Sequence, residues 1–390
     1  MSPSAVVWDS ALLAYDMGEQ HPFNPVRLHL TMRLATALGV LDDVPLLSPE
    51  PAGAKELYRA HSAEYLEAVQ QAPLAGWDVG HGLGTDDNPV FTDMHDAASL
   101  VVGSTLMGAR CLSEGRAQRA VSIAGGHHHA MHDRAAGFCV YNDCSVAISW
   151  LLEQGYDRIA YVDTDVHHGD GVQAAFLGDP RVLTISLHQH PLTLFPGTGY
   201  SAETGVEDGE GSAVNVPLPP GTHDAGWQRA FHAVVPSLLD RFRPQILVTQ
   251  CGVDSHGEDP LADLSLTVDG HRTIYRELRA LADRHAEGRW LAVGGGGYQL
   301  LRVVPRSWTH LVATVLDRDV APDVPLPAEW TETVRGVAPT AELPPTMSDG
   351  ADTAYSPWGD GSGAAVDAAI RDTRRAVFPL HGLDPDDPRD

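Results

Sequence analysis

Five times along this chain, a short and mostly apolar run ends abruptly in glycines, histidines or aspartates. Ala120-Val121-Ser122-Ile123 runs into GGHHHA. Ile159-Ala160-Tyr161-Val162 runs into DTDVHHGD. Val182-Leu183-Thr184-Ile185 runs into SLHQH, Ile246-Leu247-Val248-Thr249 into QCGVDSHGEDP, and Trp290-Leu291-Ala292-Val293 into GGGGY. Runs this short and apolar read as strands buried on both faces, with a sixth at Ala5–Trp8. Between them, DMHDAASLVVGSTLMGARCL and GWQRAFHAVVPSLLDRF carry apolar residues at helical spacing. Strands alternating with helices predict an α/β fold: a doubly wound, mostly parallel sheet with helices on both faces. In such sheets ligands bind beyond the carboxyl ends of the strands, so the five clusters are expected to share one crevice.

Bulk properties narrow the function. With 390 residues, 43% hydrophobic and 20% charged, the chain can form one large domain around a full core. Its formal charge of −26 argues against nucleic acid or an anionic membrane as partner. Cys111, Cys139, Cys144 and Cys251 form no CxxC pair and read as reduced thiols in a cytoplasmic enzyme. The N-terminal stretch lacks a basic region and a long apolar run, so no signal peptide and no membrane span are expected. Beyond residue 318, DVAPDVPLPAEW and AELPPTMSDGADTAYSPWGDGSG read as irregular surface chain, and AAVDAAIRDTRRAVF as a final helix. Residues 1–318 are therefore read as the catalytic domain. Residues 319–390 are read as a C-terminal extension packed on it or trailing from it.

The cluster after Val162 is the most informative. Asp165 and His167 are two residues apart at a strand end, so both can reach one ion. Asp254, at another strand end, is the best third ligand. Three protein ligands leave a position open for water or substrate, as in catalytic zinc sites. An Asp2His set also suits iron(II), cobalt(II) or manganese(II). Asp163 and Asp170 flank the ligands and can orient imidazoles. His168 reads better as a satisfied core histidine than as a ligand. The His127-His128-His129 run and His132 offer a base and an acid for activating water, or equally a second metal site. Four glycines deliver Tyr298 to its strand end, where a phenol can donate to a developing oxyanion. A phosphate loop is the competing reading, but neither GxGxxG nor a following Lys-Ser/Thr is present. Together these groups describe metal-assisted hydrolysis of an amide.

In order, GGHHHAMHDRAAGFCVYND, YVDTDVHHGDGV, TISLHQ, LFPGTGY, QCGVDSHGEDP and GGGGY resemble the successive motifs of class I histone deacetylases. MGEQHPFNPVRL and GLGTDDNPVF are most similar to the bacterial acetoin-utilization branch. The resemblance implies the arginase/deacetylase fold and zinc on Asp165, His167 and Asp254. It implies potassium at Asp163, Asp165, His167, Ser186 and Leu187, partly through carbonyls. His128 and His129 become the tandem histidines, backed by Asp163 and Asp170, with His129 the general base and acid, and Tyr298 polarises the acyl carbonyl. Gly137, Phe138 and Phe195 match the acyl-lysine tunnel, and Arg27 matches the arginine of a cavity beneath the metal. Asp86 matches the rim aspartate, with Asp87 its rival because the loop is one residue longer. His127 departs from the family's apolar residue, and GEGSAVNV lacks the tyrosine of a second potassium site near Phe176 and Val182. The implied substrate is acetyl-lysine on a protein, such as an acyl-CoA synthetase. The alternatives are a small acetylated amine such as an acetylpolyamine, or a binding module without activity.

Overall fold

The computed structural model describes residues 4–359, 361 and 363–390. Eight strands form one sheet: β1 Ser4–Val7, β2 Leu46–Leu47, β3 Arg119–Ser122, β4 Ile159–Asp163, β5 Val182–Gln189, β6 Ala213–Leu218, β7 Ile246–Gln250 and β8 Trp290–Val293. Their order is β2-β1-β3-β8-β7-β4-β5-β6, and every neighbouring pair is parallel. Strands β3 to β8 are buried along their whole length, which explains why they read as continuous rather than alternating apolar runs. The helices Met94–Ser113 and Asp224–Phe242 fall where the spacing predicts them.

Topology and register bring the clusters together. After β3 the chain skips two places to lay down β4, and β7 and β8 later fill that gap. Register then aligns the strand ends in one row. Ser122 pairs with Val293, Val293 with Gln250, Gln250 with Asp163, and Asp163 with Ser186. Four of the polar clusters leave the sheet at this level and at the same ends of their strands. The fifth, SLHQH, begins in this row but stays in the sheet, because β5 runs on to Gln189 and pairs with β6 rather than ending at Ile185.

Two strands lie outside the expected set. β2 is two residues long. β6 contains Asn215 and Pro217, residues poor in strand propensity, and is tolerated at the sheet's edge.

The C-terminal extension is more ordered than its composition implies. The helix Ala328–Val337 begins inside the stretch read as irregular chain. Its Trp330 is fully buried and donates Nε1–H to the Leu30 carbonyl at 2.9 Å. The final helix, Asp367–Val377, covers β6: Thr373 donates to the Asn215 carbonyl at 2.6 Å, and Asp367 pairs with Arg229 at 2.7 Å. An otherwise open sheet edge is thereby closed. All four cysteines are buried without a disulfide, and among the described residues no helix is long and apolar enough to cross a membrane.

If Trp330 anchors the extension, Trp330→Ala should cost about 3–5 kcal/mol and Trp330→Phe about 1 kcal/mol, for lost packing and a lost hydrogen bond respectively. Urea denaturation measures both. An unchanged midpoint for Trp330→Ala would mean this helix contributes nothing to the fold.

Candidate active site

The site starts from buried negative charge. Asp163, Asp165 and Asp254 are completely or almost completely buried at the ends of β4 and β7. Each is surrounded by donors. Asp163 Oδ2 accepts from His128 Nδ1 at 2.8 Å and from the Tyr161 hydroxyl at 2.7 Å. Asp165 Oδ2 accepts from Gln250 Nε2 at 2.7 Å and from the Gly296 N–H at 2.8 Å. Asp254 Oδ1 accepts from the Val166 N–H at 2.9 Å.

His167 stands between two of these acids, with Nδ1 3.1 Å from Asp165 Oδ1 and 3.0 Å from Asp254 Oδ2. One ligand atom from each of the three residues lies within 4.8 Å of the others. The electrostatics call for a cation there. Burial opposes charging His167, but its bonds to Asp165 and Asp254 outweigh this and raise its pKa to about 10. Burial, and the charge on Asp165, push Asp254 up to about 7. A proton on His167 does what a divalent ion would do better. The donor set, two carboxylates and an imidazole, suits zinc and harder first-row ions.

The tandem histidines form two dyads above this triad. His128 leans on Asp163, and His129 Nδ1 lies 2.7 Å from Asp170 Oδ1. Their Nε2 atoms are 3.1 Å apart. Burial disfavours charge on both. Asp163 and Asp165 overcome it at His128, which rises to about 9. At His129, burial and the neighbouring positive His128 win and lower it to about 4. Of the two, His128 is therefore the ring whose surroundings favour a proton and His129 the ring whose surroundings favour the neutral form.

The turn carrying the pair is clamped by Asp143, whose carboxylate accepts the N–H groups of Gly126 and His127 at 2.9 and 2.7 Å. Asn142 adds bonds from its amide to the carbonyls of His128 and Ala130. His127 itself points away from the dyads. Its ring lies between Tyr15 and Phe23, and burial with the nearby Arg27 charge lowers it to about 3.

The glycine turn after β8 closes the site. A side chain at Gly296 would collide with the Asp254 carboxylate, so the backbone can pass only as glycine. Arg27 props the turn from beneath, donating to the carbonyls of Gly295 at 2.8 Å and Gly297 at 3.1 Å, with its guanidinium over Phe23 and Trp308. Tyr298 follows, half-buried, its N–H on Asp259 Oδ2 at 2.8 Å. Burial and the charges of Asp254 and Asp165 raise its phenol, which stays a donor.

Aromatic rings line the approach. Phe138 packs edge-on against Tyr298, centroids 5.7 Å apart, and Phe195 against His129 at 5.0 Å. Gly137 lies between Phe195 and His129, where any side chain would strike the His129 ring. Asp86 and Asp87 are both exposed, and the charge of Asp87 reaches His21, whose ring packs on Phe138. His168 bonds Thr198 and Gln173, a satisfied core histidine as the sequence implied. Ser186 bonds His188 at 2.8 Å, and Leu187 is fully buried beside it. Several supporting residues escaped the sequence reading. Gln250 and Asp259 lay unremarked inside QCGVDSHGEDP. Asp143 looked like an ordinary helix-start acid. Tyr15, whose hydroxyl bonds the Phe138 carbonyl and the Val140 N–H, carried no local signal.

An eight-stranded parallel sheet with a buried Asp-His-Asp triad under two His–Asp dyads is the arrangement of the arginase/deacetylase fold. The histone deacetylase domain matches residues 21–315. The chain is 38% identical over 356 residues to the acetoin utilization protein AcuC of Bacillus subtilis, covering 90% of this chain and 91% of that protein. It is 36% identical to AcuC of Staphylococcus aureus, covering 85% and 86%. The crystal structure of an HDAC homologue complexed with SAHA superposes with a TM-score of 0.79 at 30% identity, covering 85% of this chain and 88% of that one. This chain belongs to the histone deacetylase family. Within it the chain is an AcuC-like, class I protein, and its activity is that of a deacetylase.

Because His167 must lose its proton to become a ligand, metal affinity should rise with pH. The proton is favoured in the metal-free fold at neutral pH and is lost as pH rises through about 10. While one proton is displaced, the gain is roughly tenfold per pH unit. Competition with a chelator for Zn2+ or Co2+ across neutral to alkaline pH reads this out. A flat profile would remove His167 from the ligand set.

Proposed function

We propose that this protein is a zinc-dependent deacetylase of acetyl-lysine side chains, with Asp165, His167 and Asp254 as the metal ligands. The observation that carries the reading is the stacking of the His128–Asp163 and His129–Asp170 dyads over that triad in one buried crevice. When bound, the metal would polarise the acyl oxygen and acidify an attacking water.

The chain's own groups do the rest. His129, oriented through Nδ1 by Asp170, takes a proton from the attacking water and returns it to the lysine nitrogen as the amide C–N bond breaks. The products are acetate and a free amine. His128, held by Asp163, keeps positive charge beside the developing negative charge. Tyr298 donates its phenolic hydrogen to the oxyanion. Phe138 and Phe195, with Gly137 leaving room between Phe195 and His129, fit the methylenes of an acylated lysine and disfavour a charged amine. Asp86 would hold the substrate backbone at the rim, with Asp87, whose charge reaches the His21 ring against Phe138, its rival. Arg27 would form the floor beneath the metal. Asp163, Asp165, His167, Ser186 and Leu187 would hold a structural potassium ion. In domain terms, residues 1–318 form the catalytic unit and 319–390 an extension docked on it. The setting is cytoplasmic, with an acetylated protein such as an acyl-CoA synthetase as substrate.

Tyr298→Phe should lower kcat by roughly 10²–10³-fold with metal retained and substrate affinity little changed. His129→Ala should keep metal and lose roughly 10²–10⁴-fold in rate. Steady-state kinetics with metal analysis tests both, and a wild-type rate in either variant would strip that residue of its role. Turnover of an acetyl-lysine peptide beside acetylspermidine decides the substrate class. Preference for acetylspermidine would replace the protein substrate with a polyamine.

A further inference from the structure

The segment Cys251–Asp259 contains no helix or strand, yet it carries two groups that must be placed accurately. One is Asp254. The other is Asp259, whose carboxylate accepts the Tyr298 N–H. His256 sits between them, 4% exposed. Its Nδ1 accepts the Glu258 N–H at 3.0 Å, and its carbonyl accepts the Asp259 N–H at 2.9 Å. The imidazole thus ties together the turn that presents Asp259.

The other face of His256 is held from a distant part of the chain. Nε2–H donates to Asp349 Oδ2 at 3.0 Å, across 93 residues of sequence. The same oxygen accepts the N–H of Val268, first residue of the helix Val268–His285, at 2.8 Å. Asp349 Oδ1 lies 2.8 Å from the fully buried guanidinium of Arg306. A second tie runs alongside: Arg302 grips the Glu258 carboxylate at 2.7 and 3.0 Å and the Glu342 carbonyl at 2.7 Å. Both Asp349 and Glu342 belong to the C-terminal extension. None of these groups reaches the reacting atoms.

We propose that Asp349 is a positioning residue: through His256 it fixes the turn whose Asp259 carboxylate seats the backbone of Tyr298, so that the C-terminal extension sets the aim of the phenol. The inference rests on the reading of Tyr298 as oxyanion donor. A hydrogen-bond chain from Asp349 through the His256 ring, the His256 carbonyl and the Asp259 carboxylate ends on the Tyr298 N–H. Each link is 2.8–3.0 Å long. Loosening it leaves the phenol in the crevice but no longer aimed, and small misplacements of this kind are costly in the transition state.

His256→Ala is the primary test, because Asp349 keeps Arg306 and Val268 and the extension stays docked. In the metal-loaded full chain, kcat should fall about 10- to 100-fold. KM, metal content and melting temperature should change little. In the Tyr298→Phe background the same substitution should leave kcat nearly unchanged, since the group it positions is gone. Asp349→Ala should repeat the kinetic pattern but with a lowered melting temperature, because it leaves the buried Arg306 guanidinium unpaired. Asp349→Asn, which keeps an acceptor toward His256 and Val268 but loses the Arg306 ion pair, should recover part of the rate relative to Asp349→Ala. Equal losses in both backgrounds, loss of metal, or a wild-type kcat for His256→Ala would overturn the proposal. If Asp349→Ala does not fold, His256→Ala still decides. Wild-type turnover by Tyr298→Phe alone would sink the reading of Tyr298. A slow Tyr298→Phe beside a normal His256→Ala would sink only this inference.

Discussion

Everything at this site follows from the cost of burying carboxylates. Asp143, Asp163, Asp165, Asp170, Asp254 and Asp259 lie within or just behind one crevice, and none is exposed by more than 9%. Charge removed from water must be matched by donors or cations. The chain supplies donors of every kind: backbone N–H groups of Gly126, His127, Val166, Gly296 and Tyr298, the Gln250 amide, the Tyr161 hydroxyl and three imidazoles. These still leave Asp165, His167 and Asp254 with ligand atoms close enough together to hold a positive ion, and that imbalance marks the pocket as a candidate metal site.

The same economy explains the tandem histidines. Two adjacent imidazoles in similar burial differ because their surroundings differ. His128 faces Asp163 and Asp165, while His129 has the single acid Asp170 and a positive neighbour. Environment, not residue type, sets their opposite protonation preferences. Asp143 and Asn142 contribute by holding the backbone that carries the pair.

Much of this was legible in the sequence, for a physical reason. A parallel strand buried on both faces is a continuous apolar run, and charge at its end stands out against it. Asp165, His167, Asp254 and the tandem histidines were visible that way. β6 was not, because an edge strand can carry Asn215 and Pro217 at little cost. The helix Ala328–Val337 was hidden by flanking prolines, and its buried face is only the pair Trp330 and Val334, too short a repeat to stand out. Asp143, Asp259 and His256 were illegible as site residues. Their importance lies in which backbone groups they meet after folding, and no spacing rule encodes that.

The level row from Ser122 to Ser186 also divides the sheet into two edges of unequal value. At the far edge, where the strands begin, short segments tie the strand starts to one another. Gln245 accepts the N–H groups of Asp157 and Arg158, and Arg289 donates to the Gln245 carbonyl. That edge is where the polypeptide can be reopened, permuted or given a grafted loop while the chemistry continues undisturbed on the other side.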